Sequence, residues 1–207
     1  MAYDLEEQEQ IDELKAWWKT YGKMIGNAVL ALVVAYAAFQ GWKGYQNKQS
    51  TEASTEYQAL QVMDTKDLKA IQTKSAVLMD KYSATPYAGR AALLAAKANY
   101  QASEIKSAKA QLEWASKNAK ETSVNAIATL QLANILAEEK DYQAALKLLE
   151  SSPDAGFDGL FSDLKGDVLV SLGKNAEAKT AYEHALTKLD PAGRYRTLTQ
   201  QKLEALG

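Results

Sequence analysis

Cysteine is absent from this 207-residue chain. No disulfide can cross-link it and no thiolate can act as nucleophile or metal ligand, and the absence fits an oxidising or a reducing compartment equally. Histidine occurs once, at His184. A catalytic or metal-binding role needs convergent partners, so this residue reads as solvated on an outer helix face. HExxH, GxSxG, a Walker loop and a Gly-rich dinucleotide turn are all missing, which leaves an enzymatic reading unsupported and implies no cofactor. An excess of either charge is missing too. Residues 46–207 carry 20 Lys+Arg against 20 Asp+Glu, giving no reason to expect nucleic acid or an anionic surface as partner. Only three prolines occur, Pro86, Pro153 and Pro191, each near a plausible helix start or break. No stretch keeps the period-2 alternation of a strand. The chain is 47% hydrophobic, which suits a folded domain and not a disordered tail.

Charge is also missing between Lys23 and Lys43, and what fills the gap is apolar. Met24 to Trp42 would form a helix roughly 28 Å long, close to the ~30 Å of a hydrocarbon core. Trp17, Trp18 and Tyr21 flank one end, Trp42 and Tyr45 the other, with lysines at 19, 23, 43 and 48. Aromatic rings prefer both headgroup zones and lysines snorkel outward there. Asn27 and Gln40 lie near the ends, where polar groups reach the interface. Ala35-Tyr36-Ala37 resembles a signal-peptidase site, but it falls inside the apolar run, and residues 1–23 carry six acids against three lysines. That is unlike a signal peptide, so an uncleaved single-pass membrane helix is expected. Three lysines precede the helix closely and two follow, a bias toward a cytoplasmic N-terminus. The expected organisation is a short acidic segment at 1–22, the membrane helix with its flanks at 23–45, and a helical domain at 46–207.

The domain is predicted to be all-α, with helices at 47–63, 66–82, 86–102, 105–119, 122–139, 141–150, 159–172, 174–188 and 191–205. The clearest loop is Ser151 to Gly159. Three segments align, beginning at Ala96, Ala133 and Gly166. In each, a helix ends, a short polar turn follows and a second helix opens. Ala108, Ala145 and Ala178 occupy one position of that second helix, at offsets of 37 and 33 residues, and Leu112, Leu149 and Tyr182 follow four residues later. A small residue there lets antiparallel helices approach, and the larger one fills the space beside it. The pattern resembles the tetratricopeptide repeat, a 34-residue helix hairpin. It is degenerate: Asn99 stands where an apolar residue is expected, and the usual tryptophan is missing from the last unit. Such hairpins stack into a solenoid.

Two surfaces are candidate binding sites. Ala28, Ala31, Ala35 and Ala38 share one face of the membrane helix, within about 80° at 100° per residue. Gly22 and Gly26 precede them, and small residues let membrane helices dock. In the tetratricopeptide resemblance, the first helix of each hairpin lines a peptide-binding groove. That would place Arg90, Lys97, Tyr100 and Gln101 there from the first unit, Asn134 and Glu138 from the second, and Asp163 and Asp167 from the third. The lysine–asparagine clamp for C-terminal carboxylates is not reproduced. The acids Glu6, Glu7, Glu9, Asp12 and Glu13 fit no ligand loop and read as a solvated face. Leu5, Ile11, Leu14 and Trp18 share a helix face that could lie on the bilayer or could equally be a simple extension of the anchor.

The order of these features carries a family resemblance. "YDLEEQEQIDELKAWWKTYGK" leads into one membrane helix, then "GWKGYQNKQSTEAS" and a degenerate repeat domain containing "SATPYAGRAALLAAKANY" and "FDGLFSDLKGDVLVSLGKNAEAKTAYEHAL". Over nearly its full length the chain resembles the YfgM-type bacterial inner-membrane proteins. The resemblance implies an ancillary subunit of the Sec translocon, anchored with its N-terminus cytoplasmic and its domain periplasmic. It implies SecYEG and the periplasmic chaperone PpiD as partners, and a role in passing unfolded secretory proteins to chaperones. A membrane-anchored adaptor for another envelope complex is the alternative.

Overall fold

The computed structural model describes residues 2–64, 67–150, 152 and 154–207, with side chains from Glu7 onward. Lys66 (where the second domain helix is expected to begin), Ser151 and Pro153 of the expected loop, and the side chains of Leu5 and Glu6 lie outside this set. The chain divides into two units, Met1–Lys48 and Gln49–Gly207.

The described residues of the first unit are helical and belong to α1 (Ala2–Gln61). The sequence suggests a membrane helix and a separate helix at 47–63, whereas α1 is continuous through this boundary. The reason is local: no proline occurs between Ala2 and Gln61, and the helix keeps every interior backbone group paired without a breaker. Ile11, Leu14, Trp17, Trp18 and Tyr21 are all exposed, as are Val33 and Phe39 within the apolar run. The aromatic flanks form ring contacts, Trp17 with Tyr21 at 5.8 Å and Phe39 with Trp42 at 6.3 Å between centroids. Near the end of the run, the Gln40 amide donates to the Tyr36 hydroxyl at 2.7 Å, giving Gln40 a partner on its own helix.

The second unit is all-α among the described residues. The last turns of α1 are followed by α2 (Leu68–Lys81), α3 (Pro86–Gln101), α4 (Ile105–Asn118), α5 (Thr122–Glu138), α6 (Tyr142–Leu148), a 3-10 turn (Ala155–Phe157), α7 (Asp158–Ser171), α8 (Asn175–Lys188) and α9 (Arg194–Glu204). Pro86 sits at the start of α3, where its missing N–H costs nothing. Pro191 does not start α9. Asp190 holds the Gly193 N–H with its carbonyl at 2.9 Å and the Ala192 N–H with its carboxylate at 3.1 Å. This turn delays the helix to Arg194.

The three aligned segments fold as the hairpins α3/α4, α5/α6 and α7/α8, and their turns share one geometry. Two residues past the end of each first helix stands a residue with positive φ: Ser103 (63°), Lys140 (64°) and Gly173 (73°). The next N–H reaches back across the turn, Glu104 to Asn99 O, Asp141 to Leu136 O and Lys174 to Leu169 O, at 2.8, 2.8 and 2.9 Å. This is the Schellman arrangement, which satisfies carbonyls that the helix leaves unpaired. It sets the small residues of the second helices in register five residues on. Ala108, Ala145 and Ala178 are fully buried, and Leu112, Leu149 and Tyr182 nearly so.

The core is a string of linked clusters, as stacked hairpins require. Leu60, Ile71 and Leu78 pack on Ala91 and Ala95. Ala92 and Ala96, on the other side of α3, pack with Leu112 and Leu132. Ala133, Leu149 and Phe161 continue it, and Leu169, Ala178 and Tyr182 finish it. Helix α3 is therefore buried on two faces, which explains why alanine crowds it. Gly166 marks the closest approach, since a Cβ there would collide with the Tyr182 ring. Asn99 is fully buried yet paired, donating to Ala95 O at 2.8 Å and accepting from Gln72 Nε2 at 2.6 Å. A polar group fits the core at this point because both its ends are satisfied.

Candidate functional site

The first helices of the hairpins succeed one another, α3 beside α5 and α5 beside α7, with α9 tied to α7 by side-chain hydrogen bonds. Along this row lies an open cleft of about 680 Å³. Of the eight groove residues suggested by the sequence, Lys97, Tyr100, Asn134 and Asp163 line it.

The other four have different surroundings. Glu138 stands beside the cleft and takes two of its side chains: the Tyr100 hydroxyl donates to Oε2 and Asn134 Nδ2 to Oε1, both at 2.8 Å. This hydrogen bond, and then the carboxylate charge, raise the Tyr100 pKa above its ordinary value. Arg90 grips Glu121 with two hydrogen bonds of 2.7 and 2.6 Å. That fork ties α3 to the residue that precedes α5 and raises the guanidinium pKa through the same contact. Asp167 accepts from the Tyr182 hydroxyl at 2.8 Å and from Lys202 Nζ at 2.7 Å. Gln101 is exposed at the last residue of α3 and is not part of the cleft lining.

Sequence reasoning missed the apolar part of the cleft, Leu130 and Ile135 of α5 and Leu160 of α7, and also Tyr195 of α9. The leucines and isoleucine look like any core residue in an alternating small–large pattern. Tyr195 follows the last aligned unit, where no repeat offset points to it. His184 is exposed, as expected, with its Nδ1 2.8 Å from Ser162 Oγ.

In the first unit, Ala28, Ala31, Ala35 and Ala38 are exposed along α1. Among the described residues this is the one helix long and apolar enough to cross a membrane, and none of its apolar window is buried. Ile11, Leu14 and Trp18 of the candidate bilayer-facing stripe are exposed as well. Glu7, Glu9, Asp12 and Glu13 face solvent, with Asp12 3.0 Å from Lys15 Nζ.

A family model for a tetratricopeptide repeat-like domain matches residues 15–207. A curated protein of Neisseria gonorrhoeae, named ancillary SecYEG translocon subunit, is 31% identical over the whole of both chains. Proteins of the same name resemble the chain in Haemophilus influenzae (29% identity, 89% of this chain and 91% of that one) and in Escherichia coli K12 (26%, 97% and 96%). No solved structure matches significantly.

Proposed function

The chain belongs to the YfgM-type family, whose shared part is a tetratricopeptide repeat-like domain, and from that premise we propose that it is an ancillary subunit of the Sec translocon. The observation that carries the proposal is the end-to-end match to a protein of that name, covering both α1 and the repeat domain. The role is one of binding and needs no active site. In this proposal α1 crosses the inner membrane once, with the acidic N-terminal segment in the cytoplasm and the domain in the periplasm. The alanine face at 28, 31, 35 and 38 docks on a membrane helix of SecYEG. The cleft, with Lys97, Tyr100, Asn134 and Asp163, takes protein partners, either PpiD or secretory chains that emerge unfolded. Tethering the domain beside the exit raises its local concentration, so weak contacts suffice for handover to chaperones.

Photocrosslinking in intact cells tests this, with benzoylphenylalanine introduced separately at Ala31 and Tyr100. The expected products are a translocon subunit from position 31, and a periplasmic chaperone or an exported chain from position 100. Products from an unrelated envelope complex alone overturn the translocon role and leave an adaptor.

A further inference from the structure

Helix α9 is tied to α7 by partly buried polar contacts. Thr199, almost fully buried, donates to Asp163 Oδ1 at 2.8 Å. Lys202 Nζ reaches Asp163 Oδ2 at 2.8 Å and Asp167 Oδ2 at 2.7 Å. The Arg196 guanidinium donates to Leu186 O and so ties α9 to α8 as well. Held this way, α9 contributes Tyr195 to the cleft lining, with 61% of the residue still exposed. Leu198, one turn on, is exposed beside it at 40%.

The charges of the cleft are largely answered from within. Both oxygens of Asp163 are taken by α9, and both oxygens of Glu138 by Tyr100 and Asn134. Among the described residues Lys97 has no acidic partner within ion-pair distance. What remains for a ligand is an apolar floor of Leu130, Ile135 and Leu160, two partly exposed tyrosine rings from the first and last helices of the row, and one unmatched cation. A cleft of about 680 Å³ accepts a few side chains of an extended strand.

We infer that α9 is a wall of the binding cleft and not only a cap on the solenoid. Tyr195 and Tyr100 flank an aromatic or aliphatic side chain of an extended, unfolded polypeptide segment, and Lys97 favours an acidic residue next to it over a basic one. The inference rests on the proposed binding role of the cleft and adds a contact element and a ligand chemistry to it. Tyrosine suits the task, because a rigid, amphipathic ring contacts varied apolar side chains and loses little conformational freedom.

The test uses the full chain in lipid nanodiscs and two fluorescein-labelled, unstructured decapeptides. Each carries two phenylalanines beside one charged residue, aspartate in one and lysine in the other. Fluorescence anisotropy is expected to show that Tyr195→Ala and Tyr100→Ala each weaken binding of the aspartate peptide about fivefold. Tyr195→Phe is expected to bind as the parent does. The aspartate peptide is expected to bind about threefold more tightly than the lysine peptide at low salt, with the difference lost in Lys97→Gln. Circular dichroism controls for folding, and because Tyr195 is mostly exposed its truncation leaves the core intact. If Tyr100→Ala weakens binding and Tyr195→Ala does not, α9 is no part of the site and the inference falls while the cleft stands. If neither does, the cleft itself is not the binding surface. Equal binding of the two peptides to the parent chain overturns the assigned preference.

Discussion

Three hairpin turns rest on one residue each with positive φ, and only one of the three is glycine. A side chain in the left-handed region costs about 1–2 kcal/mol, and glycine avoids that at some expense in unfolded-state entropy. The similar φ of 63°, 64° and 73° at Ser103, Lys140 and Gly173 makes the three sites a matched set. Gly173→Ala is expected to lower the stability of the repeat domain by about 1 kcal/mol, and Lys140→Gly to raise it by up to about 1 kcal/mol. Urea midpoints at unchanged slope measure both. A Lys140→Gly variant less stable than the parent would mean that the lysine side chain contributes more than its backbone strain removes. At the same scale, Asn99 shows why a polar residue interrupts an apolar repeat position: Gln72 of the neighbouring helix supplies the matching donor.

Among the elements, α9 joins α7 through a polar cluster beside the apolar contacts of Leu203, and this cluster responds to pH. Burial works to lower the Lys202 pKa, but the hydrogen bonds and charges of Asp163 and Asp167 outweigh it and raise the value above the ordinary 10.5. Burial, then the hydrogen bond to Asp167, pushes the Tyr182 phenol well above its ordinary 10.0. Both groups hold their protons more tightly in the folded chain than in the unfolded one. The stability they supply is complete below the unfolded values and is lost as pH rises past them, because the unfolded chain then releases protons that the folded chain keeps. Thermal unfolding is therefore expected to show no loss from this cluster at neutral pH and a falling midpoint above about pH 10. Tyr182→Phe removes one of the two titrating groups, so its midpoint should fall less steeply over that range. An unchanged slope in the variant would remove Tyr182 from the account.

For the whole molecule, the decisive question is which side of the membrane each unit occupies. The absence of native cysteine makes single-cysteine variants clean reporters. In intact spheroplasts, a membrane-impermeant maleimide is expected to label a cysteine placed at Lys120 in the domain, and to label one placed at Glu9 only after the membrane is permeabilised. The reverse pattern would overturn the proposed orientation. Labelling of both without permeabilisation would overturn the membrane span itself.

Much of the architecture follows from the sequence alone, because it rests on interactions between near neighbours. The apolar run from Met24 to Trp42, the proline at the start of α3 and the recurrence of Ala108, Ala145 and Ala178 each record a local requirement: an uncharged span, a helix start, a close approach of adjacent helices. The extent of α1 was less legible, since nothing marks a boundary near residue 46 and the absence of a breaker shows only when the helix is followed through. The site divides in the same way. Lys97, Tyr100, Asn134 and Asp163 are placed in one cleft by repeat position. The fork of Arg90 on Glu121, 31 residues apart, and the grip of Lys202 on Asp163 and Asp167, 39 and 35 residues apart, depend on how hairpins stack. Periodicity specifies which face of a helix is buried but not which distant side chain meets it there. That pairing, and with it the place of Tyr195 in the cleft, was decided by tertiary packing.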